Sequence, residues 1–194
     1  MSIDSLISDF KTYDLSIEKI KDSLSENKII GKEILFFHTL SSTNTIASEL
    51  ASNNCEEGTV IISDMQTNGK GRLGRKWISP QGKNLYMSII LKPDILPIDA
   101  QILTLLSAVA CAKALRNFCN IPISIKWPND LMLYDKKIGG ILTEVKIVSQ
   151  KILHAVIGIG VNINIEREDF PEEIKETTTS LKKELKVNVP RTDI

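Results

Sequence analysis

Histidine is scarce in this sequence, cysteine is sparse, and neither sign of charge prevails. The only histidines, His38 and His154, each lie in or beside a strand-like run, and a structural role fits both better than catalysis. There is no H-E-x-x-H, no Ser-His-Asp order and no carboxylate pair at helical spacing, so general acid–base hydrolysis is poorly supported. Cys55, Cys111 and Cys119 are odd in number and show no C-x-x-C spacing. That fits neither a disulfide framework nor a zinc site and predicts reduced thiols in a cytoplasmic protein. Lys plus Arg equals Asp plus Glu at 24 each, which excludes a general attraction to nucleic acid or anionic membranes. The longest apolar segment, Ile102 to Leu115, is too short for a membrane span and is interrupted by Thr104, Ser107 and Lys113. The N-terminus carries Asp4, Asp9 and Asp14 without an apolar core behind a basic start, so no export signal is expected.

What the chain does possess is concentrated between Gln66 and Trp77, which read Q-T-N-G-K-G-R-L-G-R-K-W. Gly69, Gly71 and Gly74 let the backbone bend, while Lys70, Arg72, Arg75 and Lys76 gather positive charge around the bend, as an anion site requires. The glycines formally satisfy G-x-G-x-x-G, but a dinucleotide site needs a helix to begin there. Ile78-Ser79-Pro80-Gln81-Gly82 is turn chemistry followed by a strand pattern, and the Rossmann reading fails. Spacing alone still admits an exposed basic hairpin that binds nothing.

The loop has company. Ser41-Ser42-Thr43-Asn44 lies upstream; Lys126-Trp127-Pro128-Asn129-Asp130 and Lys136-Lys137-Ile138-Gly139-Gly140-Ile141-Leu142 lie downstream. In this order the motifs resemble the biotin protein ligase family, with its glycine- and arginine-rich loop, K-W-P-N-D element and lysine before a G-G-I-L strand. The resemblance runs from about Glu33 to the C-terminus and is far more specific than any single motif. It implies activation of biotin by ATP to biotinyl-5′-AMP, with Mg²⁺ bridging the triphosphate, then transfer to a lysine of a biotin carboxyl carrier protein. The rival readings are a lipoate-type ligase or transferase of the same superfamily and a non-catalytic biotin-binding regulator. K-W-P-N-D and the basic loop argue against the first. The second would need a DNA- or protein-binding appendage, and the roughly thirty residues before Glu33 are too few for a winged helix-turn-helix. No nucleic-acid or membrane partner is expected; a homodimer is left open.

Carried over position by position, Ser42, Thr43, Asn44, Gln66, Gly69, Gly71, Arg72, Lys137, Gly140 and Gly158 fall on the biotin side. Lys70, Arg75, Trp77, Lys126, Asn129, Asp130 and Asn162 fall on the ATP side. Lys137 is the expected catalytic residue, between the biotin carboxylate and the phosphate, and Arg72 the residue that retains the adenylate. Asn129 or Asp130 is expected to assist Mg²⁺, with no protein-built metal site. Turn propensity after Pro128 would also explain Asn129-Asp130, and an ordinary turn lysine would explain Lys137. Lys70 and Leu73 stand where the fuller family motif has arginines, which predicts weaker or differently ordered closure.

The predicted fold is α+β, a mixed and largely antiparallel sheet with helices mainly on one face, like the class II synthetase-like catalytic domain of the family. Residues 1–32 read as a helical lead-in and 33–194 as the catalytic domain, without the small C-terminal β domain of the family. Ile3, Leu6, Ile7 and Phe10, then Ile17, Ile20 and Leu24, suggest two short amphipathic helices. Strands are expected at Glu33 to Phe37, Thr59 to Met65, Asn84 to Leu91, Ile123 to Trp127, Leu131 to Tyr134, Ile138 to Ile147 and Lys151 to Ile163. A helix capped by the 41–44 cluster and a buried helix from Asp99 to about Phe118 complete the core, with short helices after Pro171 and Ser180.

Overall fold

A computed structural model describes residues 15–24 and 29–194; the first of the two amphipathic segments, Ile3 to Phe10, lies outside the described residues. Seven strands form one sheet: β1 (Ile34–Phe37), β2 (Val60–Ser63), β3 (Leu85–Leu91), β4 (Ile123–Lys126), β5 (Asp130–Leu133), β6 (Lys136–Val148) and β7 (Lys151–Val161). Their order is β1-β2-β3-β7-β6-β5-β4, with β1 and β2 parallel and all other neighbours antiparallel. This is the mixed, largely antiparallel α+β sheet that the pattern predicts. The β6–β7 hairpin closes through Ser149 and Gln150, both at positive φ (49° and 66°), the geometry of a type I′ turn built without glycine.

Strand alternation gives the sheet two faces with separate cores. On one face Val60, Ile62, Ile89, Ile157 and Ile159 meet Ala108, Ala112 and Leu115 of α3 (Gln101–Cys119). Leu181 of α5 (Leu181–Leu185) and, from the lead-in, Ile17 and Ile20 of α1 (Ile17–Ser23) join the same cluster. On the other face Ile61, Ile90 and Val156 pack against Ala47 and Ala51 of α2 (Thr43–Ser52). β2 is buried on both sides, so its apolar run shows no half-buried alternation. The short α4 (Glu172–Lys175) follows Pro171, and Ser180 caps α5 by accepting from Lys183 N–H at 3.2 Å.

Two expectations about α3 need correction. Asp99 does not cap it: Pro97–Asp99 form a 3-10 turn, and Ala100 at the helix start offers no side-chain cap. Nor is the helix buried all round, since Ile102, Leu106, Val109 and Phe118 are exposed. Apolar residues encircle it, but only the stripe of Ala108, Ala112 and Leu115 is fully buried against the sheet, with Leu103, Cys111 and Cys119 half-buried beside it. With its leading turn the segment Pro97–Cys119 is long and apolar enough to cross a membrane by length and composition, more than the run Ile102 to Leu115 suggests. That buried stripe nonetheless makes α3 part of this fold.

His154 on β7 is buried, and its Nδ1 has no hydrogen-bond partner. Burial, helped by Lys146 and Lys92, holds its pKa below the ordinary 6.5. The folded state therefore keeps the neutral ring while the unfolded chain takes up a proton more readily. Stability is complete above the unfolded value and is lost as pH falls below it toward the folded value. Melting temperature is expected to fall between pH 7.5 and pH 5.5, and His154→Leu to flatten that slope; equal slopes for both proteins would contradict this.

Candidate functional site

The site lies on the sheet face that carries α2. Register sets three cross-strand rows there: Tyr86–Gly160–Gly140, Ser88–Gly158–Leu142 and Ile90–Val156–Glu144. Adjacent glycines in the first two rows leave a depression in the sheet, and two side chains enter it. A Cβ on Gly158 would stand 2.1 Å from Asn44 Oδ1, and one on Gly160 2.6 Å from the Trp77 ring. Around them opens a cleft of about 610 Å³.

The N-terminus of α2 forms one wall. Ser42 occupies the N-cap position, but its side chain makes no capping bond, contrary to the capping expectation. Gln66 takes that role: Thr43 N–H donates to Gln66 Oε1 at 2.8 Å, satisfying an otherwise orphaned helix donor. Gln66 Nε2 then donates to Ser79 Oγ at 2.9 Å, and Ser79 Oγ to the Trp77 carbonyl at 3.0 Å. Asn44 Nδ2 donates to Leu142 O at 3.3 Å and to Glu144 Oε2 at 2.7 Å, while Asn44 Oδ1 faces Ser88 Oγ at 2.7 Å.

The cationic loop is a small hairpin over the cleft, without the helix a dinucleotide site needs. Gly71 N–H donates to Arg75 O at 2.7 Å and Trp77 N–H to Gly69 O at 2.9 Å. The tip, Arg72–Gly74, turns through positive φ at Leu73 (56°) and Gly74 (73°). Leu73 is 89% exposed there. Arg72 Nη1 donates to Asn129 Oδ1 at 2.9 Å, and Asn129 Nδ2 donates to Ile141 O at 2.9 Å, so the tip is tied to the turn between β4 and β5. Lys70 Nζ lies 3.8 Å from Glu144 Oε1.

Lys137 reaches the cleft because of a β-bulge. Leu131 pairs with Gly139 but Met132 with Lys137, so Ile138 is an extra residue on β6. One extra residue reverses the alternation and places Lys137 on the same face as Gly140, whose added Cβ would lie 3.5 Å from Lys137 Cε. The ammonium pairs with Asp130 Oδ1 at 2.6 Å and lies 5.5 Å from the Trp77 ring centroid. Its backbone is held by the segment before α5: Lys137 N–H donates to Thr177 O at 2.8 Å and Thr179 N–H to Lys137 O at 2.9 Å.

All the residues singled out from sequence line this cleft except Gly69. A Cβ at Gly69 would come 2.5 Å from Trp77 O and 2.7 Å from Ser79 Oγ, so glycine there lets the two ends of the loop cross. Arg75 and Lys126 are exposed on the rim. Asn162 is buried and donates from Nδ2 to Thr179 O at 3.1 Å. Residue-by-residue reading missed Ser88, Glu144 and the Thr177–Thr179 segment. A polar residue at the centre of the apolar run Leu85–Leu91 was the available signal for Ser88; the other two depend on register and long-range pairing.

Residues 36–162 match the model of the Biotin/lipoate A/B protein ligase family. The bifunctional ligase/repressor BirA of Bacillus subtilis (strain 168) is 42% identical over 167 residues, which cover 86% of this chain and 51% of that protein. The human biotin–protein ligase is 30% identical over 162 residues, 79% of this chain and 22% of that one. Among solved structures, the biotin protein ligase from Aquifex aeolicus in complex with biotin and ATP superposes with a TM-score of 0.67 at 34% identity, covering 84% of this chain and 65% of that one. The chain spans about half the length of the BirA proteins of Bacillus that it matches.

Proposed function

Because this chain belongs to the Biotin/lipoate A/B protein ligase family, we propose that it joins biotin to ATP as biotinyl-5′-AMP and passes the biotinyl group to a lysine of a biotin carboxyl carrier protein. The observation that carries this reading is one cleft with two ends. A neutral, hydrogen-bonded pocket of Thr43, Asn44 and Gln66 runs into a cationic end made by Lys137, Arg72 and the glycine hairpin. Biotin has the matching shape, a compact ureido ring on an aliphatic tail that ends in a carboxylate.

Both reactants are anionic and repel, so the first requirement is to hold them together. Lys137 stands where the tail of a seated biotin would end, and its ammonium can donate to the carboxylate and to an α-phosphate oxygen while keeping Asp130 as third partner. The carboxylate oxygen attacks the α-phosphorus, the bond from that phosphorus to the α,β-bridging oxygen breaks and pyrophosphate leaves with the bridging oxygen; no proton moves in this step. Lys137 and Arg72 oppose the charge that develops on the phosphoryl oxygens. In the second step the amine of the carrier lysine attacks the acyl carbon, AMP departs with the anhydride oxygen, and the amine loses a proton. Trp77 walls the ATP side of the cleft against Gly160 and Gly140.

Among the described residues no three His, Cys, Asp or Glu side chains converge as a metal site. The carboxylates of the cleft are Asp130 and Asp135. That donor set suits Mg²⁺ that arrives on the triphosphate, keeps most of its waters and takes a single carboxylate. Asp130 would hold it, and the ion would screen the triphosphate charge. A cytoplasmic location, and residues 33–194 as the catalytic unit behind a lead-in of residues 1–32, belong to the same proposal; free cysteines at 55, 111 and 119 support the location.

Calorimetry with biotin and lipoate side by side tests the reading. Biotin is expected to bind alone and more tightly with MgATP, and lipoate to give no saturable heat. Preference for lipoate would overturn it.

A further inference from the structure

Ser88 belongs to none of the residues to which the motifs assign a role, yet it sits at 0% exposure under the pocket, bonded to two residues that line it. We propose that Ser88 is a specificity-determining positioning residue: it sets the direction of a hydrogen-bond chain so that Thr43 presents an acceptor, and only an acceptor, to the ligand. The inference rests on the biotin reading and specifies how the ring of that substrate is selected.

The chain of protons follows from the fixed groups. Asn44 Nδ2 faces two acceptors, Leu142 O and Glu144 Oε2, so its Oδ1 must be the atom 2.7 Å from Ser88 Oγ. An amide oxygen only accepts, and the single Ser88 proton goes there. Ser88 Oγ also lies 2.8 Å from Thr43 Oγ1. With the Ser88 proton committed, that bond requires the Thr43 hydroxyl to donate to Ser88. Thr43 Oγ1 is also 3.2 Å from Gln66 Oε1, but that oxygen already accepts Thr43 N–H at 2.8 Å, and the two shorter contacts decide the arrangement.

The result is a one-way chain, Thr43 to Ser88 to Asn44, anchored by the Glu144 carboxylate. Thr43 Oγ1 is left with lone pairs and no proton for the cleft. Gln66, whose Oε1 accepts from Thr43 and whose Nε2 donates one hydrogen to Ser79, keeps a second Nε2 hydrogen. The pocket thus offers an acceptor beside a donor, the complement of an N–H next to a carbonyl. A ureido ring supplies that pair; a dithiolane supplies neither and would leave Thr43 and Gln66 desolvated and unpaired. Without the Ser88 hydroxyl, Thr43 is free to turn its own proton toward the ligand N–H, which replaces attraction by a donor–donor clash.

The test compares KM for biotin, desthiobiotin and ATP in the wild type, Ser88→Ala, Thr43→Val and the double variant, with melting temperatures to establish folding. Desthiobiotin keeps the ureido ring and lacks the thiophane. Ser88→Ala is expected to raise KM for both ureido ligands about tenfold, with kcat and KM for ATP within twofold of wild type. In the Thr43→Val background the same change should add less than twofold, because Ser88 acts through Thr43. Ser88→Cys, close in size and still a weak donor, should recover part of the loss and covers the case in which the alanine variant does not fold. An unchanged biotin KM in folded Ser88→Ala, or equal losses for biotin and ATP, would overturn the inference alone. Absence of biotin turnover in the wild type would overturn the functional reading, and this inference with it.

Discussion

Lys137→Ala is expected to slow adenylate formation by about 2–4 kcal/mol in transition-state terms, the size seen when a charge-stabilising donor is removed from a reacting centre. Lys136→Ala is expected to change it by less than twofold. The two lysines are adjacent and carry the same charge, so the pair controls for net charge and for disturbance of the β5–β6 turn. Geometry separates them. The Ile138 bulge turns Lys137 onto the cleft face, where it meets Asp130 and the Trp77 ring, and its backbone is clamped between Thr177 and Thr179. A half-solvated lysine at a turn, by contrast, contributes little. Pyrophosphate release with biotin and MgATP reads the step, and thermal melts check folding. Equal rates for the two variants would move the catalytic charge elsewhere, to Lys126 or to the glycine hairpin.

The second large effect is expected at Gly158, where no backbone strain is involved and only space is at issue. A Cβ there would lie 2.1 Å from Asn44 Oδ1 and 2.9 Å from Asn44 Cγ. Asn44 cannot yield cheaply, because Ser88, Leu142 and Glu144 hold both ends of its amide. Displacing it breaks the polar network and leaves buried groups unpaired, at about 1–3 kcal/mol for each such group. Gly158→Ala should therefore weaken biotin binding by roughly 30- to 100-fold and lower the melting temperature. Gly140→Ala is the comparison: its Cβ would meet the Trp77 ring at 3.4 Å and Lys137 Cε at 3.5 Å, ordinary contacts, and the loss should be within about threefold. Calorimetric titration with biotin distinguishes the two, and an equal loss at both positions would contradict the account of the pocket floor.

These two residues also show what the sequence could and could not disclose. The strands were legible because their apolar, β-branched runs are bounded by turn residues, and each lies within about two residues of its expected place. The cleft residues were legible only as motifs, because a glycine loop and a K-W-P-N-D turn mean little until they face each other. That Lys137 rather than Lys136 enters the cleft depends on Ile138 being a bulge residue, and a bulge has no local signature when the flanking residues fit a regular strand equally well. The exposed side of α3 was misread for a related reason: composition reports that a helix is apolar all round but not how much of it the sheet covers. Ser88 left one trace, a polar residue inside an apolar strand, but its role and that of Glu144 arise from register, which places them beside Gly158 and Asn44 across three strands. The α2 cap was misassigned since the acceptor comes from Gln66, 23 residues away.

The most direct measurement of the central claim is product identity in a single vessel. The purified chain is incubated with MgATP labelled in the α-phosphate and with either biotin or lipoate, and the nucleotide products are separated and weighed by mass spectrometry. The account predicts biotinyl-5′-AMP with release of one pyrophosphate per adenylate, formed with biotin and absent with lipoate. Accumulation of lipoyl-AMP instead, or biotin bound with no labelled adenylate at any time, would contradict it.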